Sequence, residues 1–367
     1  MEGNDGGFLP VSGQLMGCRP TSRGFTLIEM MISIVVSSVV IAGMYSIFNM
    51  QSRQFLYQDL QIEMHQNIRF ATDVLSRSIR MAGYGAGGSV TGYHGSSTDN
   101  DTLPVIMSWD AQGDNDTDGI TVVYGDPSLR MNTEASIEAC GTDSLTFDLT
   151  ILDHDEKISE YEAGELLLCS DYANLTGIES YLWVISSVSS STGVISVDAN
   201  SGYDDYDDVC GDSENLAPSM LCSKAHVLTF YIDMDDSDGY GPGSEENPVL
   251  MMDLNLDWPS SDDVPLVDNI EDIQFEYCLN DGSTEPTCDS EHSDNWDDDV
   301  SSGSESSVWM VRMYIVGRSS RKDPQQLRKS RRPAIANQGA ASSQDHYYRQ
   351  TLVTEVAVRN LRLQDNL

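Results

Sequence analysis

Three aspartates at alternating positions form the clearest metal-ligand pattern in the chain. Asp114, Asp116 and Asp118 precede Gly119 in the sequence DNDTDG. This spacing is typical of the opening of a calcium loop, because alternating carboxylates can converge on one cation and the glycine permits a sharp turn. The twelfth position is Gly125 instead of a glutamate, which excludes a complete EF-hand. Two interpretations stay open: Ca²⁺ held in an open loop, and a solvated acidic hairpin.

Two further acidic segments are weaker candidates for cation binding. The first is DMDDSDG, with carboxylates at Asp233, Asp235, Asp236 and Asp238. The second, at positions 204–208, is expected to be solvated. Elsewhere the six histidines are scattered, and the G-x-S-x-G, P-loop and HExxH patterns are absent. We therefore expect that the protein is not an enzyme.

Six of the seven cysteines follow a long apolar segment, and they are expected to form disulfides. They are Cys140, Cys169, Cys210, Cys222, Cys278 and Cys288. An even number suits an oxidising compartment, although six cysteines allow 15 connectivities. Local pairing favours Cys210–Cys222 and Cys278–Cys288, which leaves Cys140–Cys169. Buried free thiols are the alternative, and the lack of a CxxC spacing disfavours zinc.

The charge of the chain is large and unevenly distributed. The formal net charge of −39 argues against nucleic acid as a partner. Residues 81–307 hold three basic residues against 49 acidic ones, whereas residues 308–367 hold 11 basic and four acidic ones. The basic segment Arg318–Arg332 is either a solvated loop or an electrostatic contact with an acidic neighbouring subunit or a second copy.

One carboxylate lies inside the long apolar segment. Between Phe25 and Met50 the only charged residue is Glu29. Twenty-six helical residues would span roughly 39 Å, which is enough to cross a bilayer core of roughly 30 Å. A charge in hydrocarbon is costly and requires a reason. Cleavage after Gly24, which follows Arg23, would keep the apolar segment in the mature protein, unlike cleavage of an ordinary secretory signal.

The residues around this position resemble a known processing site. Arg23-Gly24-Phe25-Thr26-Leu27-Ile28-Glu29 resembles the prepilin peptidase site of type IV pilins and pseudopilins. The resemblance implies cleavage between Gly24 and Phe25 and N-methylation of Phe25. It also implies that Glu29 pairs with the terminal amine of a neighbouring subunit and sets the axial register, a known use of buried ion pairs. The alternative is a plain single-pass anchor with Glu29 among the lipid headgroups.

The leader that the resemblance implies, residues 1–24, is long and glycine-rich. It contains Glu2 and Asp5, whereas the part from Met16 onward would be a short basic leader. We therefore expect the true translation start to be Met16.

A long helix must position these residues. After Met50 apolar residues recur at spacings of three and four, as in an amphipathic helix: Leu56, Leu60, Met64, Ile68, Ala71, Leu75, Ile79 and Ala82. No proline interrupts Phe25–Arg80, and glycines at positions 83–88 end the pattern. The expected organisation is a transmembrane or fibre-core helix at 25–50, an amphipathic helix at 51–82 and a flexible loop at 83–102.

From residue 103 to residue 367 the pattern predicts a β-rich head. Short apolar segments alternate with Gly, Asp, Asn and Ser. The predicted strands are Leu103–Met107, Ile120–Tyr124, Leu145–Leu152, Glu165–Cys169, Tyr181–Ile185, Val194–Val197, His226–Ile232, Val249–Leu254, Ile270–Leu279, Val308–Val316 and Thr351–Leu361. The last two are expected to pair as neighbours and to pack on the Leu60–Ala82 stripe. The predicted fold class is α+β and pilin-like: a long N-terminal α-helix, transmembrane in its first half, packed on a mainly antiparallel β head.

Segments in the last third of the chain resemble the PilW family. They are Leu266–Tyr277, Val311–Arg318, His346–Leu352 and Val358–Leu361. The resemblance implies a non-enzymatic minor pilin that helps to initiate type IV pilus assembly and lies at the pilus tip. Its implied partners are prepilin peptidase, other minor and major pilins, and the bacterial inner membrane before assembly. The head would lie in the periplasm and later on the pilus at the cell surface. A minor pseudopilin of a type II secretion system and a tip-displayed adhesin are the alternatives.

Overall fold

The computed structural model describes residues 24–86, 88–92, 102–128, 136–140, 144–148, 158–171, 179–189, 194–198, 220–235, 241–254, 256, 259–260, 262–279, 288, 296–300, 308–323 and 329–360. The chain divides into two compact units, Met1–Gln58 and Asp59–Leu367. The one long helix among the described residues is α1 (Leu27–Met81). The strands are β1 (Ser89–Gly92), β2 (Thr102–Pro104), β3 (Ile106–Trp109), β4 (Gly119–Gly125), β5 (Ser136–Cys140), β6 (Ser144–Asp148), β7 (Leu166–Asp171), β8 (Glu179–Ser189), β9 (Val194–Asp198), β10 (Met220–Asp233), β11 (Val249–Asp253), β12 (Val264–Asp268), β13 (Ile270–Leu279), β14 (Trp296–Asp297), β15 (Val308–Arg318) and β16 (Arg349–Ala357). Short 3₁₀ turns occur at Asp114–Asp116 and Ile158–Glu160.

The helix α1 is 55 residues long and ends where the glycines begin. Gly83 and Gly85 have φ values of 74° and 79°, in the left-handed region that glycine tolerates best. The side-chain amide of Asn360 donates hydrogen bonds to the carbonyl oxygens of Met81 and Ala82, at 3.1 Å each. The unpaired carbonyls that every helix end leaves are therefore satisfied from the far end of the chain.

The four-stranded sheet has the order β14-β13-β15-β16 and is antiparallel throughout. The pairing of β15 with β16 runs without a break from Met310 opposite Ala357 to Arg318 opposite Arg349. The prediction that these two strands are neighbours is confirmed.

The second half of α1 packs against this sheet within the unit Asp59–Leu367. Met64, Ile68, Ala71, Leu75 and Ile79 are buried in one core, at a spacing of three and four residues. The sheet contributes Ile273, Phe275, Val311, Met313 and Ile315 to the same core. Full burial of an aliphatic side chain stabilises the fold by about 1.5–3 kcal/mol, so this stripe is a principal source of helix stability.

The larger sheet has 12 strands, and β10 joins its two parts. The N-terminal half of β10 pairs with β7, whereas its C-terminal half pairs with β4 and β11, all antiparallel. The path then continues through β8, β9, β6 and β5, with β12 at the other end. Only the short contact of β1 with β8 is parallel among the described strands. The prediction of a mainly antiparallel head is confirmed.

Several local predictions differ from the structure. The segment 83–102, expected to be a loop, contains β1, and β5, β12 and β14 were not predicted. The last strand begins two residues earlier than predicted and ends at Ala357, because residues 358–360 turn toward the end of α1. The predicted strand Ile270–Leu279 has the bounds of β13, and Asn269, whose φ is 63°, separates it from the unpredicted β12.

The disulfide prediction is wrong in two of its three pairs. Cys278 is bonded to Cys288 as the spacing favoured. Cys169, however, is bonded to Cys222, so the pairings Cys140–Cys169 and Cys210–Cys222 are excluded. Cys169 and Cys222 are register partners on β7 and β10, with Cα atoms 4.0 Å apart, although 53 residues separate them in sequence. Cys210 and the side chain of Cys140 lie outside the described residues.

Candidate subunit-assembly site

Two residues of the processing motif cap the N-terminus of α1. The backbone N–H of Thr26 donates to Oε2 of Glu29 at 2.9 Å, and the Thr26 hydroxyl donates to the same oxygen at 3.0 Å. In return, the backbone N–H of Glu29 donates to the Thr26 hydroxyl at 3.3 Å. This reciprocal arrangement is a capping box, which satisfies two of the free N–H groups at a helix start. The T-x-x-E spacing was visible in the sequence and would have predicted it.

The apolar segment that follows exposes its side chains along its whole length. Phe25, Val39 and Phe48 are 84%, 68% and 66% exposed in the single chain. The helix is long and apolar enough to cross a membrane, by its length and composition. So large an apolar surface requires cover from lipid or from other helices.

The predicted calcium loop turns its third carboxylate into the protein. Asp118 is only 2% exposed. Its Oδ1 accepts a hydrogen bond from the backbone N–H of Ala111 at 3.1 Å, and its Oδ2 accepts one from Phe275 on β13 at 2.9 Å. This aspartate therefore ties the loop to the four-stranded sheet and does not face a common centre with its neighbours.

The other loop carboxylates have separate positions. Oδ2 of Asp114 accepts a hydrogen bond from the backbone N–H of Met234 at 2.7 Å, and Asp116 is exposed. In the second acidic segment, Asp233 is buried and accepts the N–H of Gly243 at 2.8 Å. Its companions Asp236 and Asp238, like positions 204–208, lie outside the described residues. Among the residues the structure describes, no three metal-ligating side chains form a group.

Burial changes the ionisation of Asp118. Removal of its carboxylate from water raises the pKa of Asp118 to about 7, against the opposing effect of the two backbone N–H groups. The sequence left Ca²⁺ binding and a solvated hairpin open for this carboxylate, and the structure buries it against two backbone N–H groups.

A second buried carboxylate, on β13, binds the segment that follows β15. Asp272 on β13 is fully buried and forms an ion pair with Arg332. Burial raises the pKa of Asp272 to about 7, although the Arg332 guanidinium acts in the opposite direction. Gln338 of the same segment donates to the carbonyl oxygens of Asn115 and Asp116, at 2.9 and 2.8 Å. The segment from Arg332 to Gln338 thus connects the sheet to the aspartate loop.

Two further arginines of the basic region are also bound internally. The Arg349 guanidinium forms paired hydrogen bonds with Glu271 and with Asp345, at 2.5–2.7 Å. Arg318 is 5% exposed, donates to the carbonyl oxygen of Glu245 at 2.6 Å and lies 4.3 Å from the ring centre of Tyr347. Bidentate guanidinium–carboxylate pairs are strong and geometrically specific. Neither arginine is available to another subunit, and for Arg318, the first residue of the predicted basic segment, this corrects both the solvated-loop and the intersubunit-contact interpretation.

Four other described cations of the segment Arg318–Arg332 are exposed. Arg321, Lys322, Lys329 and Arg331 all lie at the surface. Arg318, Arg332 and these four cations belong to one basic segment in the sequence, and only the fold separates the internal ones from the exposed ones.

Two family models match the chain. The model of the PilW family, described as type IV pilus-assembly protein W, matches residues 229–360. That range begins within β10 and includes the four-stranded sheet, the Arg332 segment and the Asn360 helix cap. The model of the prokaryotic N-terminal methylation motif matches residues 19–45, which include Gly24, Phe25 and Glu29. No curated protein and no solved structure matches the chain. With its apolar N-terminal helix, its antiparallel head and these two matches, the chain is similar to the PilW-like pilins of the type IV pilus over the matched residues.

Proposed function

We propose that the protein is a minor pilin that helps to initiate assembly of a type IV pilus and lies at the pilus tip. The observation that carries this proposal is the PilW match over residues 229–360 on the same chain as the methylation motif. Residues 83–228 add further strands before the matched part, so the head is bulky. A bulky head is easier to place once at an end than to repeat along a tightly wound fibre, which supports the tip.

Before assembly, Phe25–Met50 would anchor the chain in the inner membrane with the head in the periplasm. The methylation motif implies processing by a prepilin peptidase and other pilins as partners. Cleavage between Gly24 and Phe25 would create a new terminal amine on Phe25. Glu29 would then be the fifth residue of the cleaved chain. The exposed apolar side chains would then leave lipid and pack against the helices of other subunits.

The capping box prepares Glu29 for contact with another subunit. Its Oε2 is held by Thr26, whereas its Oε1 accepts no hydrogen bond from the described part of the chain. An unpaired carboxylate in a low-dielectric layer is costly, so the free oxygen favours an ammonium group there. The terminal amine of Phe25 in a neighbouring subunit would supply that group and fix the axial position of one subunit against the next.

The test replaces Glu29 by Gln in the cell, beside a deletion of the gene. Both changes should abolish surface pili, because Gln retains the size of the side chain but removes its charge. The Glu29→Gln protein should still be inserted in the membrane and cleaved, which an immunoblot of the membrane fraction checks. Asp59→Asn, a neutralisation farther along α1, is the matched control and should leave pili intact. Loss of type II secretion with normal pili would contradict the proposal and favour a pseudopilin.

A further inference from the structure

The exposed cations form one surface, which we call the basic rim: Arg321, Lys322, Lys329 and Arg331. Backbone hydrogen bonds hold both parts of the rim against the segment before β16. The N–H of Asp323 donates to the carbonyl oxygen of His346 at 2.8 Å, and the N–H of Ser330 donates to that of Asp345 at 2.9 Å. Within the described residues, Lys322 has one long ion pair, and no ion pair of Arg321, Lys329 or Arg331 is present. In a chain with a net charge of −39, four cations with so little compensation are unusual.

A concave surface of opposite charge lies beside the rim. This acidic cleft has a volume of about 590 Å³ and carries the carboxylates of Asp114, Asp235, Glu245 and Glu246. The other described residues that line it are Asn115, Met234 and Ser244, so no basic side chain is among them. These carboxylates do not converge as a group of metal ligands. A guanidinium or ammonium group on a flexible side chain therefore fits the cleft better than a divalent cation does.

The rim and the cleft are direct neighbours. Nζ of Lys322 lies 3.8 Å from Oε1 of Glu246, and Arg318, three residues before Arg321, donates to the carbonyl oxygen of Glu245. Lys322 and Glu246 are 51% and 85% exposed, so this contact neutralises little of either surface. One side of the head thus presents a basic protrusion and an acidic depression side by side.

Adjacent patches of opposite charge are self-complementary under a two-fold rotation. In such an isologous contact, the basic patch of the first copy meets the acidic patch of the second. The acidic patch of the first copy meets the basic patch of the second at the same time. The overall negative charge opposes association, but charges farther apart than about 10 Å are largely screened at 0.1 M salt, whereas charges in contact are not. We propose that two copies of this chain associate through this side of the head, with the basic rim of each copy in the acidic cleft of the other.

The decisive experiment uses two charge-reversed forms of the full-length protein in detergent. The rim variant carries Arg321→Glu and Arg331→Glu, and the cleft variant carries Glu245→Lys and Glu246→Lys. In each variant the altered patch has no net formal charge and loses its attraction for the opposite patch of a second copy, so the variant alone should associate at least about tenfold more weakly than the natural chain in sedimentation velocity. An equimolar mixture of the two should recover the dimer, because the unaltered rim of one variant then meets the unaltered cleft of the other and the reversed residues of the two altered patches carry opposite charges. Misfolding of either variant would not produce that recovery.

Arg359→Glu is the matched control, since it reverses an exposed arginine outside both patches, and it should leave association unchanged. A natural chain that stays monomeric at every concentration tested would overturn the proposal. So would two variants that remain monomeric when mixed. Rim-dependent binding to vesicles containing phosphatidylglycerol, without self-association, would assign the rim to a lipid surface and would equally overturn it.

Discussion

Gly317 of β15 lies against Ile68 of α1 so closely that no side chain fits between them. A Cβ atom at Gly317 would be 2.5 Å from Cγ1 and 2.7 Å from Cδ1 of Ile68. Contacts below 3.0 Å are essentially never made by real Cβ atoms, so the helix or the strand would have to move. The glycine therefore determines how close α1 comes to the sheet.

Gly317→Ala should destabilise the head by about 1–3 kcal/mol, the usual cost of overpacking a core. The free energy of unfolding, measured by urea denaturation of the full-length protein in detergent, checks this. Gly339→Ala is the matched control, because no atom lies within 4 Å of a Cβ at that position. Ile68→Ala should cost less stability in the Gly317→Ala background than in the natural chain, since it removes the two clashing atoms. Equal stability of the two glycine variants would contradict the close approach.

Asn360→Ala should loosen the last turn of α1. The side chain donates to the carbonyl oxygens of three consecutive residues at the helix end. Loss of such bonds costs about 1 kcal/mol, which corresponds to roughly fivefold faster amide exchange. Hydrogen exchange at Ala82, whose N–H bonds to the carbonyl of Ser78 at 3.1 Å, provides the measurement. The neighbouring Arg359→Ala should leave that rate unchanged, and a common effect of both changes would argue against the cap.

Asp118 should make the stability of the head fall as the pH rises. Its folded-state pKa of about 7 lies above the ordinary value of 3.8, so the folded chain binds the proton more tightly than the unfolded chain. The stabilising contribution is complete below about pH 4 and is lost as the pH passes through 7. The free energy of unfolding of Asp118→Asn, minus that of the natural chain, should therefore increase between pH 4 and pH 7.

Loss of one of the two backbone hydrogen bonds in Asp118→Asn adds an offset that does not depend on pH, so only the slope of the difference is diagnostic. Asp116→Asn, on the same loop but exposed, is the control and should show a smaller slope. A difference between Asp118→Asn and the natural chain that stays constant from pH 4 to pH 7 would exclude the raised pKa.

The two disulfides should contribute unequally to stability. They close segments with sequence separations of 53 and 10 residues, for which loop entropy predicts about 4 and 3 kcal/mol. Replacing both Cys169 and Cys222 by serine should therefore lower the free energy of unfolding more than replacing Cys278 and Cys288. Peptide mapping of the unreduced protein should recover both bonds as linked peptides. Recovery of Cys210 linked to Cys222 would refute the cross-strand bond.

Periodicity in the sequence accounts for most of the elements that the structure contains. The three- and four-residue spacing from Met64 to Ile79 is local, and burial of that stripe follows from it directly. The alternation in Val311, Met313 and Ile315 likewise predicts a strand with one buried face. The strand after Asn269 has the predicted bounds Ile270–Leu279, whereas β12 before it was not predicted.

Some functional residues can be recognised from the local sequence, whereas the position of others depends on the fold. The Gly24–Phe25 pair, Glu29 and the apolar segment after them are a local motif, readable without any fold. Asp118 has the local pattern of a metal ligand, but the N–H of Phe275, 157 residues away in sequence, directs its carboxylate inward. Arg318 and Arg321 are three residues apart in one basic run, yet one is buried and the other exposed.

The amino-acid sequence by itself determined the processing motif, the long helix, the antiparallel head and the resemblance to the PilW family, because each rests on spacings within a short stretch of chain. The tertiary structure alone decided that Cys169 pairs with Cys222, that Gly317 meets Ile68, and which cations remain exposed beside the acidic cleft. These depend on strand order and on burial, which bring together residues that no local spacing relates.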